Sequence, residues 1–116
     1  MLGITLVSIV AIMHFGFLIL EMFLWTKPTG RRVFANSVEK AQDTAILAAN
    51  QGLYNGFLAA GLLWGLVHPV DSMGRQILLF FLACVIVAGI YGAYSVSKRI
   101  FFVQALPAIL ALIAIL

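Results

Sequence analysis

Two ionisable side chains, His14 and Glu21, lie within an otherwise apolar run from Leu2 to Trp25. An ionisable group in a lipid-compatible helix is costly, so it faces a bundle interior or water and marks a functional site by default. The seven-residue spacing, nearly two helical turns, puts both on one face, with Leu18 and Trp25 extending the stripe. A carboxyl group there can serve as a general acid or proton carrier, and an imidazole can take either side of a proton transfer. The two are about 10 Å apart along the helix axis, too far for a direct hydrogen bond, so each needs its own partner. Glu21 and His14 are therefore the candidate catalytic residues. Further polar side chains in apolar runs include Asn50, Gln51, Tyr54, Asn55, Tyr91 and Gln104. Together with Trp25 they are the candidate ligand-binding set. Matched by depth, Asn50 and Tyr54 suit Glu21, and Asn55 or Tyr54 suits His14.

Other chemistries find little support. Metal binding needs three or four converging ligands, and no second His or Cys shares the depth of His14 and Glu21, so no metal is expected. His68 ends the second apolar run at the opposite side, which argues against paired histidine ligation within one chain. Cys84 is the only cysteine and lies in an apolar run, so it reads as a packing residue with no intrachain disulfide to form. Arg31 and Arg32 read as a topology and headgroup anchor, and Trp25 and Trp64 as interfacial aromatics.

The elements that must position these groups follow from composition. Of 116 residues, 64% are hydrophobic and 9% charged. Soluble domains carry roughly 25% charged residues. Four apolar runs of about 20 residues each fit the length and point to membrane spans. The net charge of +3 is confined to short loops, where it orients a membrane protein, and is no nucleic-acid signal. The chain therefore reads as an all-α, up-down-up-down four-transmembrane-helix bundle. It forms a single integral membrane domain over residues 1–116, with helices at about 2–25, 37–67, 75–97 and 100–116. Pro28 and Gly30 break the first connection, and Asn36 or Ser37 can cap the second helix, with Glu39 completing a partial capping box from Asn36. His68-Pro69 ends that helix, and Pro107 interrupts the last. Residues 1–13 hold no Lys or Arg, so the first run reads as a retained helix and not a signal peptide.

Loop charge gives orientation. Lys27, Arg31, Arg32 and Lys40 in the first loop and Lys98 and Arg99 in the third face a lone Arg75 in the second. Six against one puts loops one and three in the cytoplasm and both termini outside. Nearly all polar side chains at membrane depth then fall in the cytoplasmic half. At 100° per residue, Asp43, Asn50, Tyr54, Gly61 and Gly65 share one face of the second helix, expected to meet the His14–Glu21 stripe. Ala45, Ala48, Ala49, Gly52, Gly56 and Ala59 lie on the opposite face, a small-residue ladder that suits close helix approach.

The run Glu21-Met22-Phe23-Leu24-Trp25 and the segment Ala49-Asn50-Gln51-Gly52-Leu53-Tyr54-Asn55-Gly56-Phe57-Leu58-Ala59-Ala60-Gly61, with His14, resemble the small integral membrane proteins grouped as domain of unknown function 1304. The resemblance covers essentially the whole chain, and Asn-Gln-Gly-x-Tyr-Asn-Gly is its specific part. It implies a bacterial four-helix protein of the inner membrane and carries no activity. Small multidrug exporters share the length, helix number and a carboxylate in the first helix. Their carboxylate lies nearer mid-span and their loop-charge bias is weak. Membrane-associated glutathione-metabolism enzymes share the four-helix layout, but their Arg-x-x-x-Asn-x-x-Glu pattern is absent from the second helix.

The expected function is a cytoplasm-facing polar pocket that binds a small lipophilic or amphipathic molecule and acts on it by acid/base chemistry. A proton-coupled transporter subunit working as an oligomer is the alternative, and a structural subunit without ligand is a third. The expected partners are the lipid bilayer, such a small molecule and further copies of the chain, with no nucleic acid. No cofactor is indicated.

Overall fold

The computed structural model describes residues 1–116, all helices and connecting turns with no strand. In order these are α1 (Leu2–Met22), α2 (Pro28–Phe34), α3 (Val38–Val67), α4 (Asp71–Ser95), a π-helical turn (Phe101–Ala105) and α5 (Leu106–Ile115). Two helices, α1 and α4, are long and apolar enough to cross a membrane. In each, only 22% of the most apolar window is buried within the protein, so neither resembles the core helix of a soluble domain.

The boundaries differ from the periodicity-based expectation in physically readable ways. α1 stops at Met22, and the Leu24 amide reaches back five residues to the Ile19 carbonyl at 3.2 Å. Trp25 therefore lies in a turn. The basic first connection is itself helical: Pro28 at the first position gives up no amide the helix needs. Ala35 ends α2 in the left-handed region at φ 54°, which closes the Asn36 amide onto the Arg31 carbonyl at 3.0 Å. Ser37, not Asn36, caps α3, its Oγ accepting from the Lys40 amide at 3.1 Å. Position 40 is a lysine, so no capping box forms. α4 starts four residues earlier than expected, at Asp71, whose carboxylate suits the positive end of the helix. Pro107 has no amide to donate and crowds the carbonyl four residues back. The backbone widens just before it, with the Leu106 amide bonded to the Phe101 carbonyl.

The chain divides into two compact units. One comprises Met1–Ile12 and Leu58–Leu116. Its core is small and aliphatic, built from Val7, Val10, Leu62, Leu82, Val85 and Ala108 among others. Helices approach closely where side chains are missing: a Cβ on Gly89 would lie 2.6 Å from the Ala105 amide, and one on Gly74 would lie 2.7 Å from the Gly65 carbonyl. The Arg75 Nε donates to the Ile115 carbonyl at 2.9 Å, holding the start of α4 to the end of α5.

The other unit, Met13–Phe57, holds the C-terminal part of α1, all of α2 and the first two-thirds of α3. Here Gly52 and Gly56 bring α3 onto α1: a Cβ on Gly52 would meet Met22 at 2.8 Å and the Leu18 carbonyl at 3.2 Å. Gly56 faces Leu18 in the same way. The face of α3 that meets α1 is thus the small-residue ladder. The expected polar face carrying Asn50 and Tyr54 is turned outward.

Candidate functional site

Glu21, near the end of α1, is buried, with 4% of its surface exposed. Asn55 of α3, 8% exposed, donates from its Nδ2 to Glu21 Oε1 at 2.5 Å. The geometry that makes this pair is local. Gly52 and Asn55 are three residues apart on α3 and share a side, and the missing Cβ at Gly52 admits the Glu21 Cβ, which a side chain there would meet at 3.0 Å. The donor is a neutral amide, which satisfies an oxygen of the carboxyl group but brings no opposite charge. The pair can therefore exist with the carboxyl group ionised or protonated, the property required of a proton-exchanging group.

His14 is 1% exposed and packs edge-on against Phe17, with ring centroids 5.1 Å apart. The helix spacing keeps it about 10 Å along the axis from Glu21, as the sequence requires. Trp25 occupies the connection after α1. Its indole nitrogen donates to Thr44 Oγ1 at 3.0 Å, and its ring lies over Phe34 at 4.7 Å. This pins the turn between α1 and α2 to the start of α3.

The partners assigned from depth are corrected by this geometry. Glu21 is paired with Asn55, and not with Asn50 or Tyr54. Asn50 is exposed, its Nδ2 donating to the Ile46 carbonyl of its own helix at 3.1 Å, and Gln51 is exposed beside it. Tyr54 is 60% exposed and its ring leans on Phe57. Neither depth nor rotation alone gives this pair: Asn55, matched by depth to His14, meets Glu21, and the two faces of α3 are both plausible until close approach at Gly52 and Gly56 selects one. Asn55 lies among the small residues on that selected side, a signal present in the sequence. Tyr91 and Gln104 belong to the other unit, where Tyr91 is exposed and Gln104 partly buried.

Two cavities lie away from this pair, and neither is lined by Glu21, His14 or Asn55. One, of about 230 Å³, lies where α3 gives way to α4 and is lined by His68, Asp71, Arg75, Leu66, Leu78 and Ile115 among others. His68 accepts the Val70 amide at its Nδ1 at 3.0 Å, which caps the tight connection. The other is a shallow apolar groove of about 530 Å³ beside Phe80, Cys84, Val87 and Tyr91. Sequence reasoning passed over the first; the charged Asp71 and Arg75 next to His68 were its signal. No group of three or more His, Cys, Asp or Glu side chains is placed to hold a metal ion.

The chain is all-helical, with two helices long and apolar enough to cross a membrane. The chain belongs to the family described as Protein of unknown function (DUF1304), whose model matches residues 8–116. It is also similar to an uncharacterized protein, YpaA, of Lactococcus lactis subsp. lactis (strain IL1403). The two are 33% identical over 115 residues, covering 97% of this chain and 95% of that one. No solved structure matches.

Proposed function

We propose that the chain is a four-helix protein of the bacterial inner membrane whose working group is the Glu21 carboxyl. In this reading α1, α3, α4 and the last helix cross the bilayer up-down-up-down. The basic connections lie in the cytoplasm and the termini outside. The reading draws on the apolar outer surface: Ile12, Ile19, Ile46, Phe80, Val87 and Ile90 are all exposed. Each such side chain kept from water contributes about 1.5–3 kcal/mol, a term that lipid supplies here. The last helix, Phe101–Ile115, is short for a full crossing, which local thinning of the bilayer accommodates at modest cost.

Within that frame Glu21 exchanges a proton with a small lipophilic or amphipathic molecule, Asn55 positions its carboxyl, and His14 lies nearly two turns deeper. The single observation that carries this is the pairing of a buried carboxyl with a neutral amide on a neighbouring helix. In this reading the molecule gains access when α1 and α3 part at Asn55. Native mass spectrometry in mild detergent tests the proposal. A small-molecule adduct on the wild-type chain that is lost in Glu21→Gln is expected, since glutamine keeps the acceptor for Asn55 and removes the acid. The same mass spectrum for both, with no adduct, contradicts it. A structural role for the pair is the second reading, favoured by the close contact of Gly52 with Glu21 and Met22, which leaves the site filled in the absence of a ligand.

A further inference from the structure

We infer that the outward face of α3 centred on Asn50 and Tyr54 binds a second copy of this chain. At 100° per residue, Asp43, Asn50 and Tyr54 lie along one line of α3, with Leu47, Gln51 and Phe57 flanking them. All six are exposed. This is the side opposite Gly52, Asn55 and Gly56, so the rotation that buries the pair with Glu21 is the same one that turns these residues out. Asn50 is 17 residues before Val67, the end of α3. That puts it about 25 Å from that end, within a hydrocarbon layer of roughly 30 Å.

Lipid tails offer no hydrogen bonds, and a carboxamide left facing them costs free energy. Asn50 returns one amide hydrogen to its own helix, which leaves its carbonyl oxygen and second hydrogen to find partners outside. An amide is at once donor and acceptor, so it complements another amide, and two copies of this face satisfy each other without any further protein. The one-sided loop charge gives every copy the same orientation in the membrane. A two-fold axis between them then runs along the membrane normal, and each residue near it meets its own counterpart. Asn50 faces Asn50 and Tyr54 faces Tyr54, with Leu47 and Phe57 packing around them.

The inference rests on the membrane-spanning part of the reading above and not on the chemistry of Glu21. Single cysteines at Asn50, Tyr54 and, as a control, Val87 of α4 are introduced in a Cys84→Ser background and oxidised in native membranes. Disulfide-linked dimers at positions 50 and 54 but not at 87 are expected, because bridging needs Cα atoms within about 7 Å. Membrane-integrated protein with no dimer at 50 or 54, or with equal dimer at 87, overturns the interface and leaves the spanning reading intact. Chain recovered in the soluble fraction overturns both. Native mass spectrometry of Asn50→Leu/Gln51→Leu separates polar from merely apolar association. Loss of the dimer supports the amide contact, and an undiminished dimer overturns it.

Discussion

A carboxyl group and a carboxamide buried together stand or fall as a pair. Removing the amide alone leaves Glu21 without its donor, whereas removing both leaves an apolar contact between α1 and α3. An orphaned buried polar group costs about 1–3 kcal/mol, more when charged, while loss of both partners can be nearly neutral. Asn55→Leu should therefore lower stability by more than about 1 kcal/mol, and Glu21→Leu/Asn55→Leu should recover most of the loss. Reversible unfolding in mixed detergent micelles, read as a double-mutant cycle, measures this directly. Additive losses would show that the two side chains do not depend on each other. Glu21→Gln should unfold close to wild type, because the glutamine carbonyl still accepts from Asn55, which is what makes that variant a clean probe of the acid itself.

At the level of helices, the same residue type performs opposite tasks. Gly16 of α1 has open space around it, so a methyl group meets nothing. Gly52 of α3 faces the backbone and side chains of α1. Gly16→Ala should raise stability by up to about 1 kcal/mol through helix propensity. Gly52→Ala should lower it by about 1–3 kcal/mol by forcing α1 and α3 apart. Thermal unfolding of the two variants side by side checks the pair, and equal shifts would deny that Gly52 sets the approach. This contrast also shows how much the sequence could say. The apolar runs, their polar interruptions at His14, Glu21 and Asn55, and the small-residue ladder were all legible from residue type and period. Which face of α3 turns toward Glu21 was not, because both a polar stripe and a glycine stripe are good contact surfaces. The choice depends on the close approach of the two helices, where a Cβ on Gly52 would lie 2.8 Å from Met22 and one on Gly56 2.5 Å from Leu18. The helical turn at Pro28–Phe34 was hidden for another reason: seven residues are too few for a periodic signal.

For the whole molecule, the apolar exterior and the buried acid belong to one proposal: a bilayer surrounds the chain, and one carboxyl group inside it exchanges protons. In that proposal the basic connections hold the orientation, the outward amides on α3 seek a second copy, and the buried Glu21 carboxyl is held by an amide that leaves its charge state open. Infrared difference spectroscopy of the protein reconstituted in lipid, taken between acidic and basic buffer, tests the claim about Glu21 most directly. The account predicts a carboxyl carbonyl band that appears and disappears with pH, shifts in Asn55→Leu as the amide bond is lost, and is absent from Glu21→Gln. Identical difference spectra for wild type and Glu21→Gln would contradict it, since Glu21 would then exchange no proton at all.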